Sequence, residues 1–188
     1  MKAIALVGLI SFTAVFAYAD SAASQTIEPS ATKVSPATNA LAVEPAKLTL
    51  KVVKADSEET SGENGKAANA VDGNANTIWH TQWQDDSPTC PHEIIIELRE
   101  AVGINGFTYL PRQDESDHGG IKEYEFYVSA DGKEFGKPVK KGEFTADKDK
   151  KTVMFDGKKC RFIKLRALSE INGEPWTSAA EIGIVLAD

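Results

Sequence analysis

Tyr124-Glu-Phe-Tyr-Val-Ser129 decides the fold class, because its apolar side chains Tyr124, Phe126 and Val128 recur at every second position. This period is that of a β-strand with one buried face and one face exposed to solvent. Four further runs share it: Leu48-x-Leu50-x-Val52, Ile94-x-Ile96-x-Leu98, Ile163-x-Leu165 and Ile182-x-Ile184-x-Leu186. Since no stretch sustains a helical period, the sequence predicts an all-β protein.

Turn signals separate these runs. Asn105-Gly106, Asp131-Gly132 and Asp156-Gly157 are dipeptides typical of tight turns between strands. Short strands joined in this way favour two packed antiparallel sheets, which form a β-sandwich of jelly-roll type. Loops at one end of such a sandwich are free to carry function.

The N-terminus predicts export. Lys2 precedes an apolar run over residues 3–18, and Ala17-Tyr18-Ala19 has the small-x-small pattern of a signal-peptidase site. The run is shorter than the roughly 20 residues that a membrane-spanning helix needs, so membrane insertion is not expected. We therefore expect residues 1–19 to be a cleaved signal peptide and the product to be secreted, periplasmic or held at the cell surface.

Composition divides the rest of the chain into two parts. Residues 20–46 consist mainly of Ala, Ser, Thr, Pro and Val, and they contain no aromatic side chain. Such a segment buries too little apolar surface to offset the entropy of ordering it, so we expect a disordered linker. Residues 47–188 have the size of a single domain.

Charge limits the class of partner. The chain has 21 Lys and Arg against 28 Asp and Glu, a formal net charge of −7. Nucleic-acid binding depends on clustered basic residues, so an acidic chain of this kind is not expected to bind nucleic acid. The two cysteines, Cys90 and Cys160, each lie near the start of a predicted strand. The sequence leaves open whether they form a disulfide.

The segment Asp72-Gly-Asn-Ala-Asn-Thr77 is a candidate metal-binding turn. It begins like an EF-hand loop, but Thr77 stands where that loop needs glycine, and Trp83 stands where it needs a bidentate glutamate. The oxygen atoms of Asp72, Asn74 and Thr77, with Glu181, are nevertheless ligands of the kind that calcium prefers. A plain Asp-Gly turn without metal is the alternative.

Seven motifs together resemble a known family. In chain order they are Gly62-Glu-Asn-Gly65, Asn69-Ala-Val-Asp-Gly-Asn74, Thr77-Ile-Trp-His-Thr81, Tyr109-Leu-Pro-Arg-Gln113, Tyr127-Val-Ser-Ala-Asp-Gly132, Arg161-Phe-Ile-Lys-Leu165 and Trp176-Thr-Ser-Ala-Ala-Glu-Ile182. The region over residues 52–184 looks like the coagulation factor V/VIII C-type, or discoidin, domain. Within that family it is most similar to the carbohydrate-binding modules of family 32.

The resemblance implies an antiparallel jelly-roll β-sandwich that is galactose-binding-domain-like, with a structural calcium ion. The implied ligands are the carbonyls of Asn69 and Ala180 with Asp72, Asn74, Thr77 and Glu181. Calcium in this position would fix the loops and would not activate water.

The resemblance also implies a site for terminal galactose-like sugars, with galactose, N-acetylgalactosamine and fucose left open. Its residues would be Glu63, His80, Trp83, Arg112 and Trp176. The side-chain chemistry agrees, because a sugar ring needs an aromatic platform for its C–H face and charge-assisted hydrogen bonds for its hydroxyl groups. The loop over residues 113–120 matches no family position securely.

Alternatives remain for single residues. Trp79 is expected in the core, whereas Trp83 and Trp176 lie among polar and small loop residues and are expected to be exposed. His92 and His118 are assigned to structure or solvent.

Alternatives remain for the function as well. No catalytic motif is present, and a glycosidase needs two carboxylates flanking one bond, so we expect a binding module and not an enzyme. A discoidin-type adhesion or protein-binding module, with a protein or cell-surface partner, is the alternative. A lone sugar-binding module is expected to bind weakly, and clustering would then supply avidity.

Overall fold

The computed structural model describes residues 49–187, and the predicted signal peptide and linker lie outside this range. Within it the only helix is a single 3₁₀ turn over Ala67–Val71. The strands are β1 (Leu50–Ala55), β2 (Trp79–His80), β3 (His92–Leu110), β4 (Glu123–Ser129), β5 (Lys140–Glu143), β6 (Lys151–Ala167), β7 (Ser178–Ala179) and β8 (Glu181–Leu186). The predicted all-β class is confirmed. Residues 49–187 contain no helix of the length and apolarity that crossing a membrane requires.

Two long antiparallel strands, β3 and β6, organise the sandwich. The first half of β3 lies between β1 and the second half of β6, while its second half lies between the first half of β6 and β8. β4 continues the sheet beside β6, and β5 forms its edge. β2 and β7 pair separately as a two-stranded sheet. The antiparallel β-sandwich expected from the sequence is therefore the observed fold.

The core is built from the alternating apolar side chains of these strands. Phe107 stacks on Phe126 with ring centroids 4.0 Å apart, and Phe144 stacks on Tyr109 and Tyr124. Fully burying a large apolar side chain contributes roughly 1.5–3 kcal/mol, so each of these rings stabilises the domain substantially. Trp79 is buried as predicted, and its indole N–H donates to the Ser57 carbonyl at 2.9 Å.

Two of the three predicted turns are wrong. Asp131-Gly132 does form a turn, with Gly132 at φ +73° and the Ser129 hydroxyl accepting two backbone N–H groups. Asn105-Gly106 and Asp156-Gly157 instead lie inside β3 and β6. The pairing skips from Ile104↔Lys158 to Gly106↔Met154, so both dipeptides occupy one bulge of continuous strands. A Cβ on Gly106 would stand 2.7 Å from a β6 carbonyl, which explains the glycine there.

The possible disulfide does not form. Both cysteines are free thiols. Cys160 lies within β6 opposite Val102, whereas the start of β3, just after Cys90, pairs with Ala167 at the other end of β6. The strand ends that the pairing required are therefore not neighbours.

Candidate functional site

Loops at one end of the sandwich enclose a cleft of about 270 Å³. It is lined by Glu63, His80, Trp83, Arg112, Ser116, His118 and Trp176. All five residues predicted for the sugar site therefore meet in one place, although they come from four separate segments of the chain.

His80 forms a buried hydrogen-bond acceptor at the base of the cleft. Its backbone pairs with Ser178 in the two-stranded sheet, and the residue is only 2% exposed. Nδ1 lies 2.7 Å from the Thr81 carbonyl, which can only accept, so Nδ1 carries the proton and Nε2 is the acceptor. Burial lowers the pKa of His80 and outweighs the Thr81 carbonyl and the Glu63 carboxylate, which raise it, while the nearby Arg112 cation lowers it further. His80 is therefore neutral at pH 7.

Arg112 provides hydrogen-bond donors beside it. Its guanidinium is held by Asp114 through two bonds, from Nε at 2.7 Å and from Nη2 at 2.6 Å, and Nη1 donates to the His118 carbonyl at 3.4 Å. The bond with Arg112 lowers the pKa of Asp114, which keeps this carboxylate charged. A guanidinium has five N–H groups, so one on Nη1 and one on Nη2 remain to bind a ligand.

Two tryptophans form the walls. Trp83 is 37% exposed, and its indole N–H donates to Glu63 Oε1 at 3.0 Å. Its ring lies against Gly62, where a Cβ would stand 2.6 Å from the ring carbons, so Gly62 makes room for it. Trp176 is half-buried and donates to the Ser87 hydroxyl at 2.8 Å. Trp83 is thus exposed as predicted, and Trp176 only partly so.

His92 anchors the segment that precedes Trp176. Its Nδ1 lies 2.8 Å from Asp56 Oδ2, and its Nε2 lies 2.9 Å from the Pro175 carbonyl and 3.1 Å from the Pro88 carbonyl. Although burial alone would lower the pKa of His92, the bond to Asp56 and its charge raise it. His92 is therefore a structural residue, as the sequence indicated.

Glu59, which the sequence analysis missed, holds two of the cleft loops together. Its carboxylate is fully buried and accepts the N–H groups of Ser61 and Gly62 on one oxygen and those of Trp83 and Gln84 on the other, at 2.6–2.9 Å. Burial on its own would raise the pKa of Glu59, yet these four bonds hold it at about 2. An isolated glutamate in a polar segment gave no sequence signal for this role.

The loop over residues 113–120 contributes Ser116 and His118. His118 is exposed, but it also lies edge-on to Trp176 with ring centroids 5.4 Å apart, so its assignment to structure or solvent missed its place in the cleft. Lys148 supports this loop by donating to the carbonyls of Asp114 and Ser116, the latter at 2.8 Å. Sequence alone gave no means of placing the loop.

A second cavity, of about 320 Å³, lies on the other side of the Arg112 loop. Tyr109, Pro111, Ile121 and Ile171 are among its lining residues, and Arg112 is the only predicted sugar-site residue there. The smaller cleft therefore remains the better candidate site, because it gathers the complementary polar groups and the aromatic walls.

The predicted metal ligands gather at the turn over residues 72–77. Asp72 Oδ2 accepts from the Thr77 hydroxyl at 2.7 Å, and Asp72 Oδ1 accepts from the Asn74 N–H at 2.8 Å. Glu181 reaches the same turn from β8. Burial and the charge of Asp72 raise its pKa, although the backbone N–H groups of Gly73 and Asn74 act in the opposite direction. Glu181 Oε1 is the one buried side-chain oxygen or nitrogen in the described part of the chain without a hydrogen-bond partner.

This oxygen cluster fits a hard cation. A buried carboxylate oxygen without a donor, beside a second carboxylate, lacks a positive partner. The Asn69 carbonyl lies 3.5 Å from the Asp72 nitrogen, and Ala180 adjoins Glu181 at the start of β8. Residues 49–187 contain no group of three or more His, Cys, Asp or Glu side chains placed to hold a metal, so carbonyl and amide oxygens would have to complete the shell.

Comparison with known proteins identifies the family. The family model of the F5/8 type C domain matches residues 53–182. The chain belongs to the F5/8 type C domain family. The match includes every residue of the cleft and of the oxygen cluster, from Glu63 to Glu181.

Two curated relatives are similar to this chain at over a third identity. A galactose oxidase of Gibberella zeae is 39% identical over 136 residues, which is 72% of this chain and 20% of the relative. A sialidase of Micromonospora viridifaciens is 36% identical over 136 residues, which is 72% of this chain and 21% of the relative. The chain thus spans about a fifth of the length of these relatives.

Solved structures of similar F5/8 type C domains include carbohydrate-binding modules. CpGH89CBM32-5 from Clostridium perfringens, in complex with GalNAc-beta-1,3-galactose, is 37% identical with a TM-score of 0.66, covering 73% of this chain and 95% of that one. The family 32 module of C. perfringens NanJ, in complex with galactose, is 29% identical with a TM-score of 0.63, covering 72% and 93%. The resemblance to family 32 is thereby confirmed.

Proposed function

We propose that this domain is a non-catalytic carbohydrate-binding module that recognises galactose-type sugars. The observation that carries the proposal is the pairing of a neutral His80, which can only accept through Nε2, with Arg112, which can only donate. A hydroxyl group both donates and accepts, so one hydroxyl can satisfy both residues at once.

The remaining groups fit the rest of a sugar ring. Trp83 and Trp176 offer apolar faces to the ring C–H groups. Glu63 Oε1 accepts the Trp83 indole N–H, so Oε2 remains as an acceptor for a second hydroxyl. Two family 32 neighbours were solved with galactose or a GalNAc-containing disaccharide, which supports an axial C4 hydroxyl as the group between His80 and Arg112.

The acids near the cleft support a binding function without catalysis. Glu63 is the one carboxylate among the described lining residues, whereas glycoside hydrolysis needs two that flank the scissile bond. Asp114 is committed to Arg112, and Glu59 to four backbone N–H groups. The matched relatives that are named as enzymes share only about a fifth of their length with this chain.

Adhesion through membranes or proteins has less support from the loops. Of the exposed large apolar side chains among residues 49–187, Val53, Met154 and Leu186 lie on strands. Trp83 is the one that lies at the cleft, and its indole N–H is bonded to Glu63. These polar loops favour hydroxyl groups as their ligands.

We further propose that calcium occupies the oxygen cluster. Asp72 and Glu181 would supply charge, and Asn69, Asn74, Thr77 and Ala180 neutral oxygens, as hard cations prefer. The ion would neutralise the two facing carboxylates and fix the turn. Export by the N-terminal signal and display at a cell surface complete the proposal, because clustering would strengthen a weak single site.

A calorimetric titration with galactose, N-acetylgalactosamine, fucose and glucose tests the sugar proposal. We expect galactose to bind with a Kd of the order of 1 mM, about −4 kcal/mol, and glucose, its C4 epimer, at least about tenfold more weakly. Arg112→Ala should abolish binding, whereas Arg161→Ala, which removes a half-exposed arginine on β6, should not change it. Equal affinity of wild type and Arg112→Ala would refute the placement of the site.

A further inference from the structure

Asn69 lies between the oxygen cluster and the sugar cleft. It belongs to the 3₁₀ helix that precedes the turn over residues 72–77, and it is only 9% exposed. Its carboxamide nitrogen donates to the Asn64 carbonyl at 2.7 Å and to the Ile78 carbonyl at 2.8 Å. A carboxamide has two N–H groups, so both of them are used to join two separate segments.

Each of these segments leads directly to a cleft residue. Asn64 follows Glu63, whose carboxylate accepts the Trp83 indole N–H. Ile78 immediately precedes β2, which contains His80. The two segments also meet through the backbone, because His80 N–H donates to the Gly65 carbonyl at 3.0 Å. The Asn69 side chain therefore adds a further link, from outside the cleft, between the two segments that carry Glu63 and His80.

The main chain of the same residue faces the oxygen cluster. The Asn69 carbonyl accepts the Asp72 N–H at the end of the 3₁₀ helix, at 3.5 Å, which is a long and therefore weak hydrogen bond. A carbonyl oxygen has two lone pairs, so the second one remains available to a cation. One residue thus touches the turn with its carbonyl and the cleft loops with its carboxamide.

We propose that Asn69 is a positioning residue that couples cation binding at the turn to sugar binding in the cleft. The inference rests on the proposed calcium and sugar sites. A cation that fixes the Asn69 carbonyl also fixes its side chain, and with it Glu63 and His80. By thermodynamic reciprocity, sugar must then raise calcium affinity by the same factor as calcium raises sugar affinity.

The test measures this coupling factor in the full protein. Galactose affinity is determined by calorimetry with saturating calcium and after chelation, and calcium affinity with and without galactose. We expect a factor of about 5 or more in the wild type, the lower range for coupled sites, and about 1 in Asn69→Ala. Asn69→Ala should keep its calcium-dependent rise in Tm, because the backbone carbonyl remains. Asn76→Ala, an exposed change in the same turn, should keep the wild-type factor.

A second signal needs no sugar. The Trp83 indole N–H donates to Glu63, so its NMR resonance should shift on calcium addition in the wild type and stay unmoved in Asn69→Ala. If galactose does not bind at all, the proposed function fails, while this shift still reports whether the turn and the cleft loops are connected. An unchanged coupling factor in Asn69→Ala, or a wild-type Trp83 signal that ignores calcium, would overturn the inference. A wild-type Trp83 signal that ignores calcium overturns the inference even if Asn69→Ala does not fold.

Discussion

At the scale of single residues, the cleft divides donor and acceptor roles between two side chains. Neutral His80 presents a lone pair, and Arg112 presents two N–H groups that Asp114 and His118 leave free. A carboxylate would be repelled by the His80 lone pair, and an ammonium group by the Arg112 charge. A neutral hydroxyl group is repelled by neither side chain. The protonation state of His80 therefore helps to determine which class of ligand binds.

Sugar affinity should therefore depend on pH through His80. Its pKa lies below the usual value of about 6.5, because burial disfavours the cation. Affinity should be constant above about pH 6.5 and fall as the pH drops through the lowered pKa, since protonated Nε2 cannot accept. Calorimetric Kd values between pH 4.5 and 8 check this. An affinity that rises in acid would contradict the assigned tautomer.

The stability of the domain should depend on pH through His92. Its pKa is raised in the folded state, so the stabilisation by Asp56 and the two carbonyls is complete below the unfolded pKa and is lost as the pH rises through the folded pKa. Burial on its own would raise the pKa of Asp56, but the hydrogen bond that His92 donates lowers it. The stabilisation that depends on the Asp56 carboxylate is therefore lost as the pH falls through this lowered pKa. Tm measured from pH 5 to 9 should decline above neutrality in the wild type and much less in His92→Gln.

At the scale of elements, the cleft depends on how its loops are tied together. Glu59 accepts hydrogen bonds from the N–H groups of residues 61–62 and of residues 83–84. One buried carboxylate thus satisfies backbone groups of two loops that would otherwise need backbone partners. Loops carry unpaired backbone groups, and burying them requires a partner of this kind.

Glu59→Gln should weaken both the fold and the site. The amide replaces one accepting oxygen with a donor that faces backbone N–H groups, so we expect unfolding free energy to drop by about 1–3 kcal/mol and galactose affinity to drop with it. Urea unfolding and calorimetry measure the two effects. Glu58→Gln is the less disruptive neighbour, because Glu58 is exposed and accepts a single N–H group from Ala67. Wild-type sugar affinity in Glu59→Gln would contradict the role given to Glu59.

The sequence predicted the strands better than it predicted their ends. Alternation reports a buried face, so the runs around Ile96, Phe126 and Leu165 were placed correctly. Asn105-Gly106 and Asp156-Gly157 have turn chemistry, but Asn-Gly and Asp-Gly also suit a bulge, and only the partner strand distinguishes the two. The same limit applies to the site: His80 and Arg112 came from motifs, whereas Glu59 and His118 depend on contacts that no local pattern encodes.

At the scale of the whole molecule, the turn over residues 72–77 connects the C-terminal strand with the start of the domain. Glu181 begins β8 and reaches Asp72, which follows the 3₁₀ helix. Two facing carboxylates at this junction repel each other unless a cation lies between them. The global stability of the domain is therefore expected to respond to calcium.

Calcium should raise the Tm of the wild type and leave that of Asp72→Ala unchanged. Binding to the folded state alone stabilises it by about 2.7 kcal/mol at a calcium concentration 100 times the Kd. Differential scanning calorimetry with calcium and with a chelator measures the shift. Asp149→Ala, an exposed acid in another loop, serves as the charge-matched control and should respond like the wild type. A wild-type Tm that is insensitive to chelation would remove calcium from the proposal.

The walls of the cleft lie outside the six-stranded sheet, and this has a consequence for how such domains evolve. Residues 112–118 and Trp176 take no part in the pairing of the six-stranded sheet, and His80 belongs to the separate two-stranded one. Insertions or substitutions in these segments can accumulate without disturbing the sheet that keeps the chain folded. Ligand preference and foldability are thus traits that mutation can change independently, which makes the sandwich a scaffold on which new specificities arise by exchanging loops.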